Sequence, residues 1–241
     1  MVELLVVIAI IAILAGMLAP VIHSVKSSVN QTIAVRAGGQ VLLATTMYMA
    51  DHDDRFPLAM YEIEYGAWQT WFGRQTGYNE FDTDAGLLSP YMGPRRTPDP
   101  THHALPYIGD MSGIGYNYGT IGGDFHVTGD YSRFPNCRNA ASSNEIESPS
   151  TTIVFATSSY FNALWLEGGD GMTYDFGFFD PPEFWYGNPN VDFRHFGGRK
   201  ADSLKKEVSS DGRAVIVFAD GNVRPLRESQ LEPEMFRRRS D

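Results

Sequence analysis

The side chains best suited to chemistry fall into a few groups. His195 follows Arg194 and precedes Gly197-Gly198, with Asp220-Gly221 further along the chain. An imidazole beside a guanidinium could act as a base, or could tie a loop to backbone through a hydrogen bond. The structural role is the expectation, because no Ser-His-Asp order, nucleophile elbow, phosphate loop or dinucleotide fingerprint accompanies it. No catalytic residue is assigned, and the chain is not expected to be an enzyme. His102-His103 could ligate a metal, but adjacent side chains diverge in a strand and no nearby Cys, Asp or Glu completes a site. They are expected to be surface-loop histidines. Hard cations want several oxygens, and two stretches supply them: Glu167-Gly-Gly-Asp170-Gly-Met-Thr-Tyr-Asp175, and Asp51 with Asp53 and Asp54. Neither follows the EF-hand template, so the expectation is no cofactor, with calcium at Glu167, Asp170 and Asp175 as the alternative.

Composition limits the classes of function. The chain has 241 residues, 43% hydrophobic and 20% charged, which is enough apolar material for one ordinary domain and too little charge for a disordered polyelectrolyte. Its net charge of −10 would repel phosphate backbones, so nucleic-acid binding is not expected. The lone cysteine, Cys137, excludes an internal disulfide or a multi-cysteine zinc site. Mean hydropathy is −0.23, but the apolar residues are unevenly spread.

From Leu4 to Ile22 nineteen residues carry no charge. As a helix they would extend about 28 Å, close to the ~30 Å of a bilayer core. The run has no basic segment before it and no A-x-A site after it, so a retained transmembrane or filament-core helix over 1–22 is expected rather than a signal peptide. Glu3 stands at its start, where the helix dipole favours a carboxylate. Gly16 and Pro20 should kink or loosen the helix. An amphipathic continuation over 23–56 follows, with Val21, Val25, Val29, Ile33, Ala37 and Val41 at four-residue spacing. Gly38-Gly39 should cost this helix up to ~2 kcal/mol. The remainder, 57–241, reads as a loop-rich globular head. Thr151–Thr157 and Arg213–Ala219 read as strands, and Asp220-Gly221 as the turn of a hairpin. The aromatic run Tyr174–Phe179 with Phe184-Trp-Tyr186 could form core, a subunit contact or a carbohydrate-stacking surface, and core is the expectation. Arg237-Arg238-Arg239 is either a solvated tail or a contact to an acidic neighbour.

The segment VELLVVIAIIAILAGMLAP resembles the N-terminus of type IV pilins and type II secretion pseudopilins, in which an apolar run carries one glutamate near its start. Val2-Glu3-Leu4-Leu5 resembles the stretch just after the prepilin peptidase cleavage site. That family's usual form places Phe-Thr before the position of Met1 and a basic leader ending in Gly before that; their absence implies a start assigned too late or a trimmed chain. Tyr48, Asp51 and Phe56-Pro57 are similar to the helix end of major pseudopilins. LLSPYMG, Tyr116-Asn-Tyr-Gly119, and Arg194-His-Phe-Gly-Gly198 followed by VIVFADGNV resemble a bacterial subgroup marked by a His, nine residues and an Asp-Gly pair. Here twenty-four residues separate His195 from Asp220, which implies an insertion near 199–213.

The resemblance implies a pilin-like α+β fold, a long helix whose second half packs on a small antiparallel sheet. It implies a structural subunit of a type IV pilus-like or type II secretion pseudopilus filament. The subunit would be held by its helix in the bacterial cytoplasmic membrane, single-pass with the head outside the cytoplasm, until it joins a cell-surface or periplasmic filament. Partners implied are other copies or similar subunits, an assembly platform with its ATPase, and, where a leader exists, prepilin peptidase with N-terminal methylation. Glu3 would neutralise the terminal amine of a neighbouring subunit, and a head loop would be the place for calcium. His195, Asp220 and Gly221 would be structural. The alternative is a membrane-tethered binding domain for glycan or protein, or an enzymatic domain, that does not polymerise.

Overall fold

The computed structural model describes residues 2–64, 66–93, 97–185 and 187–239; the side chains of Val2, Glu3, Leu5, Ala15, Ala19, Pro20 and His23 lie outside that description, as do Met1, Tyr65 and Tyr186. Helix α1 (Val2–Asp51) opens the chain. It ends where Asp53 and Asp54 take positive φ and the amide of Asp54 returns to the Met49 carbonyl. Pro57 then bars further helix.

Among the described residues fourteen strands follow: β1 (Met60–Glu64), β2 (Ala67–Thr70), β3 (Arg74–Gly77), β4 (Glu80–Asp82), β5 (Leu105–Ile108), β6 (Ile114–Asn117), β7 (Ile153–Thr157), β8 (Tyr160–Phe161), β9 (Thr173–Phe176), β10 (Phe178–Phe179), β11 (Arg199–Asp202), β12 (Glu207–Ser210), β13 (Ala214–Phe218) and β14 (Val223–Leu226). Two single-turn helices, α2 (Ser89–Met92) and α3 (Phe125–Thr128), lie among them. The strands form four sheets: β1-β2-β3-β4, β10-β6-β7-β13-β14, β5-β9-β8 and the β11-β12 hairpin.

The five-stranded sheet organises the head. Every residue of β7 and β13 is buried, as expected of central strands covered on both faces. On one face Val154, Phe155 and Val217 join the cluster that receives Ala37 and Val41 of α1, together with Trp71, Tyr116 and Phe178. Tyr116 stacks on Phe155 at 4.7 Å, and Trp71 donates its indole N–H to the Gly177 carbonyl at 2.8 Å. On the other face Ile216, Phe218 and Ile153 meet Phe179, Val191, Phe193 and Phe236.

Several expectations are corrected here. The pilin-like arrangement of a long helix on one small antiparallel sheet is not found. The described residues of the head form four sheets, and two of them contain parallel pairs, β10 with β6 and β5 with β9. The described side chains of α1 buried by the head are confined to the stretch from Ala34 to Thr45. Val21, Val25 and Val29, on the same four-residue stripe, are more than half exposed, because the sheet is too short to reach them. The transmembrane helix is also corrected: among the described residues no helix is long and apolar enough to cross a membrane. The single-pass placement in a bacterial cytoplasmic membrane falls with it. The helix continues through Gly38-Gly39, and Gly38 lies there against the sheet.

Candidate functional site

Strand β7 ends at Thr157, and the two serines that follow meet a segment returning from Val191. The chemistry-bearing residues gather there. Arg194 donates from Nε to Asp99 Oδ2 at 2.8 Å, from Nη1 to Asp192 Oδ2 at 2.9 Å and the Ser158 carbonyl at 3.2 Å, and from Nη2 to the Gly113 carbonyl at 2.5 Å. Arg199 reaches Ser159 Oγ at 2.6 Å and lies 3.5 Å from Asp192. His195 Nε2 is 3.1 Å from Asp99 Oδ2, close enough for attraction, but neither ring nitrogen attains hydrogen-bond geometry with a described residue.

Burial would raise the Asp99 carboxyl, yet His195, Arg194 and Thr101 outweigh it and hold the group well below the usual carboxylate range. Burial likewise opposes ionisation of Asp192, and Arg194, Arg199 and Ser159 overcome it. The Arg194 guanidinium is pulled down by burial and raised beyond its ordinary value by Asp192 and Asp99. Two carboxylates, two guanidiniums and an imidazole thus bind four separated segments, at Asp99, Gly113, Ser158-Ser159 and 192–199, into one ionic clasp. Its chemical capacity is positioning: the Arg194 nitrogens are all committed to protein acceptors.

The backbone of His195 adds a second tie. It exchanges hydrogen bonds with Arg213, at 3.0 and 2.7 Å, and this bridge closes the base of the β11-β12 hairpin. The anticipated insertion is therefore a hairpin projecting beside β13. Asp220 and Gly221 sit at the turn between β13 and β14: Gly221 has φ of 102°, and both Asp220 oxygens are taken by Asn222, at 3.0 and 2.7 Å. They do not approach His195 through any described hydrogen bond.

No protein-family model matches this chain, and no curated protein or solved structure matches it either.

The other sequence candidates separate. Asp175 is buried and binds His102 Nε2 at 2.7 Å and the Met111 amide at 2.7 Å. His102 is thus an internal partner with a 2% exposed side chain, which corrects its reading as a surface histidine; His103 is exposed. Asp170 instead accepts from the Met172 amide and the Tyr174 hydroxyl, and Glu167 is exposed. Asp51 accepts from Tyr91, and Asp54 pairs with Ser143. Among the described residues no group of three or more His, Cys, Asp or Glu is placed to hold a metal ion. Helix α1 runs on through Gly16; the side chains of Glu3 and Pro20 lie outside the described residues.

Arg238 is neither of the two things expected of it. It is buried and donates to the carbonyls of Thr120, Gly123 and Asn139, with Glu145 at 3.1 Å. Arg237 pairs with Glu183 at 3.2 Å. Cys137 is buried, and burial pushes its thiol up to about 12. Sequence reasoning missed Asp99 and Asp192 and named Asp175 only as a calcium candidate; Asp99 meets Arg194 across 95 residues and Asp175 meets His102 across 73, separations that leave no local spacing.

Proposed function

We propose that the chain is a structural subunit of a pilin-like filament, in which the first part of α1 packs against the same part of other copies or of similar subunits. The supporting observation is the exposure of the helix. Described large apolar side chains from Leu4 to Ile22 have relative exposures between 52% at Val7 and 69% at Leu4. A helix apolar on every side needs cover on every side, and each buried Å² contributes roughly 25 cal/mol. Parallel copies of the same helix would supply that cover. An acidic head with net negative charge would keep subunits apart until the helices align.

The tail adds support to the resemblance. With residues 198–212 removed as one hairpin excursion, nine residues stand between His195 and Asp220, the spacing of the subgroup. Glu3 would meet the terminal amine of a neighbour, and a charge left buried without that partner costs several kcal/mol, so misaligned subunits are penalised.

The test is assembly of the full chain, followed by electron microscopy and sedimentation. Filaments or large regular oligomers are expected, and Ile8→Lys with Ile11→Lys should abolish them. Glu3→Ala should reduce their yield while the head stays folded. A chain that remains monomeric at high concentration, or a double lysine variant that still assembles, overturns the reading.

A further inference from the structure

Helix α1 carries a second face that its own head leaves uncovered. Val29, Arg36 and Leu43 follow one another two helical turns apart, and Met47 stands one turn further on. Val29 is 51% exposed, Leu43 62% and Met47 48%, and Arg36 is exposed between them. The face buried by the head is a different one, with Ala34, Ala37, Val41 and Ala44.

Charge selects what covers the outer face. From Leu4 to Ala50 the chain has no carboxylate, and its formal cations there, Lys26 and Arg36, are both exposed. A lipid interior would have to desolvate Arg36, and the same face of another copy would set Arg36 against Arg36. The sheet β1-β2-β3-β4 is opposite in sign. Its segment, residues 60–85, carries Glu62, Glu64, Glu80, Asp82 and Asp84, all exposed, against the single cation Arg74. Two apolar side chains stand out of that acidic surface, Ile63 at 40% and Tyr78 at 89% exposed. A cation among apolar groups on the helix thus matches apolar groups among carboxylates on the sheet.

We propose that the outer face of α1, from Val29 to Met47, docks on the acidic β1-β2-β3-β4 sheet of a second copy, with Arg36 among the carboxylates and Leu43 against Tyr78. The inference rests on the filament reading and gives it a contact made by the head. Two different surfaces meet, so the contact is head-to-tail and repeats into an open filament instead of closing as a two-fold dimer.

The test mixes full-length Leu43→Cys chains with Tyr78→Cys chains under assembly conditions and adds a bis-maleimide; Cys137 is buried and stays out of the reaction. A crosslink between the two variants is expected. Arg36→Glu in the first chain should cut its yield about tenfold or more by setting like charges together. Glu80→Lys with Asp82→Lys in the second chain should do the same, and the two reversals combined should restore the yield. The proposal is overturned, with the filament reading left standing, if filaments form without this crosslink, if Leu43→Cys links only to itself, or if Arg36→Glu crosslinks like the parent. Shielding of Leu43→Cys from the reagent by phosphatidylglycerol vesicles, rather than by other copies, overturns it as well. A parent chain that neither assembles nor crosslinks overturns both readings.

Discussion

A Cβ placed on Gly38 would lie 2.8 Å from Cγ2 of Val217, and 3.3 Å from Cγ1 of Val223. The glycine lets α1 settle onto β13 and β14 at a distance no side chain would permit. Its neighbour Gly39 meets nothing within 4 Å. The two glycines therefore predict opposite signs. Gly38→Ala should destabilise the head by about 1–3 kcal/mol through overpacking. Gly39→Ala should stabilise it by up to about 1 kcal/mol through helix propensity. Denaturant melts of both variants check this, and equal effects would contradict the packing account.

The clasp around Arg194 sets a pH dependence. Asp99 and Asp192 have folded pKa values below their unfolded ones, so each stabilises the fold above the unfolded value of roughly 3.9. That stability is lost as pH falls towards the lower folded values. Unfolding free energy should decline steeply below about pH 4, and Asp99→Asn should flatten the decline. At neutral pH the same variant should cost about 3–5 kcal/mol, because Arg194 keeps its charge with one partner gone. Chemical denaturation across pH measures both.

Two adjacent arginines should behave unlike each other. Arg238→Met strands three backbone carbonyls inside the head and should cost several kcal/mol, at about 1–3 kcal/mol for each acceptor left unpaired. Arg237→Met removes one partly exposed ion pair with Glu183 and should cost less than about 1 kcal/mol. Thermal melts of the two variants distinguish a buried clamp from a solvated basic tail.

The residues of β7, β13 and the Asp220-Gly221 turn announce themselves locally. Unbroken β-branched runs have few other homes, and an Asp-Gly pair between two of them accepts the positive φ that a tight turn needs. The irregular middle was legible for a similar reason, since its prolines forbid long elements. The division of the head into several sheets with parallel pairs was not legible, because parallel partners such as β5 and β9 are distant in sequence and leave no shared periodicity.

The same contrast runs through the site. Sequence alone determined that Arg194, His195 and Gly197-Gly198 form a notable cluster, that a long apolar stretch opens the chain, and that an extra segment separates His195 from Asp220. Tertiary structure decided that Asp99 and Asp192 hold Arg194, that Asp175 claims His102, and that Arg238 is an interior clamp. It also decided how little of α1 the head covers. Local pattern encodes backbone preference within a few residues, whereas a buried charge is specified by whichever distant segment folding brings beside it.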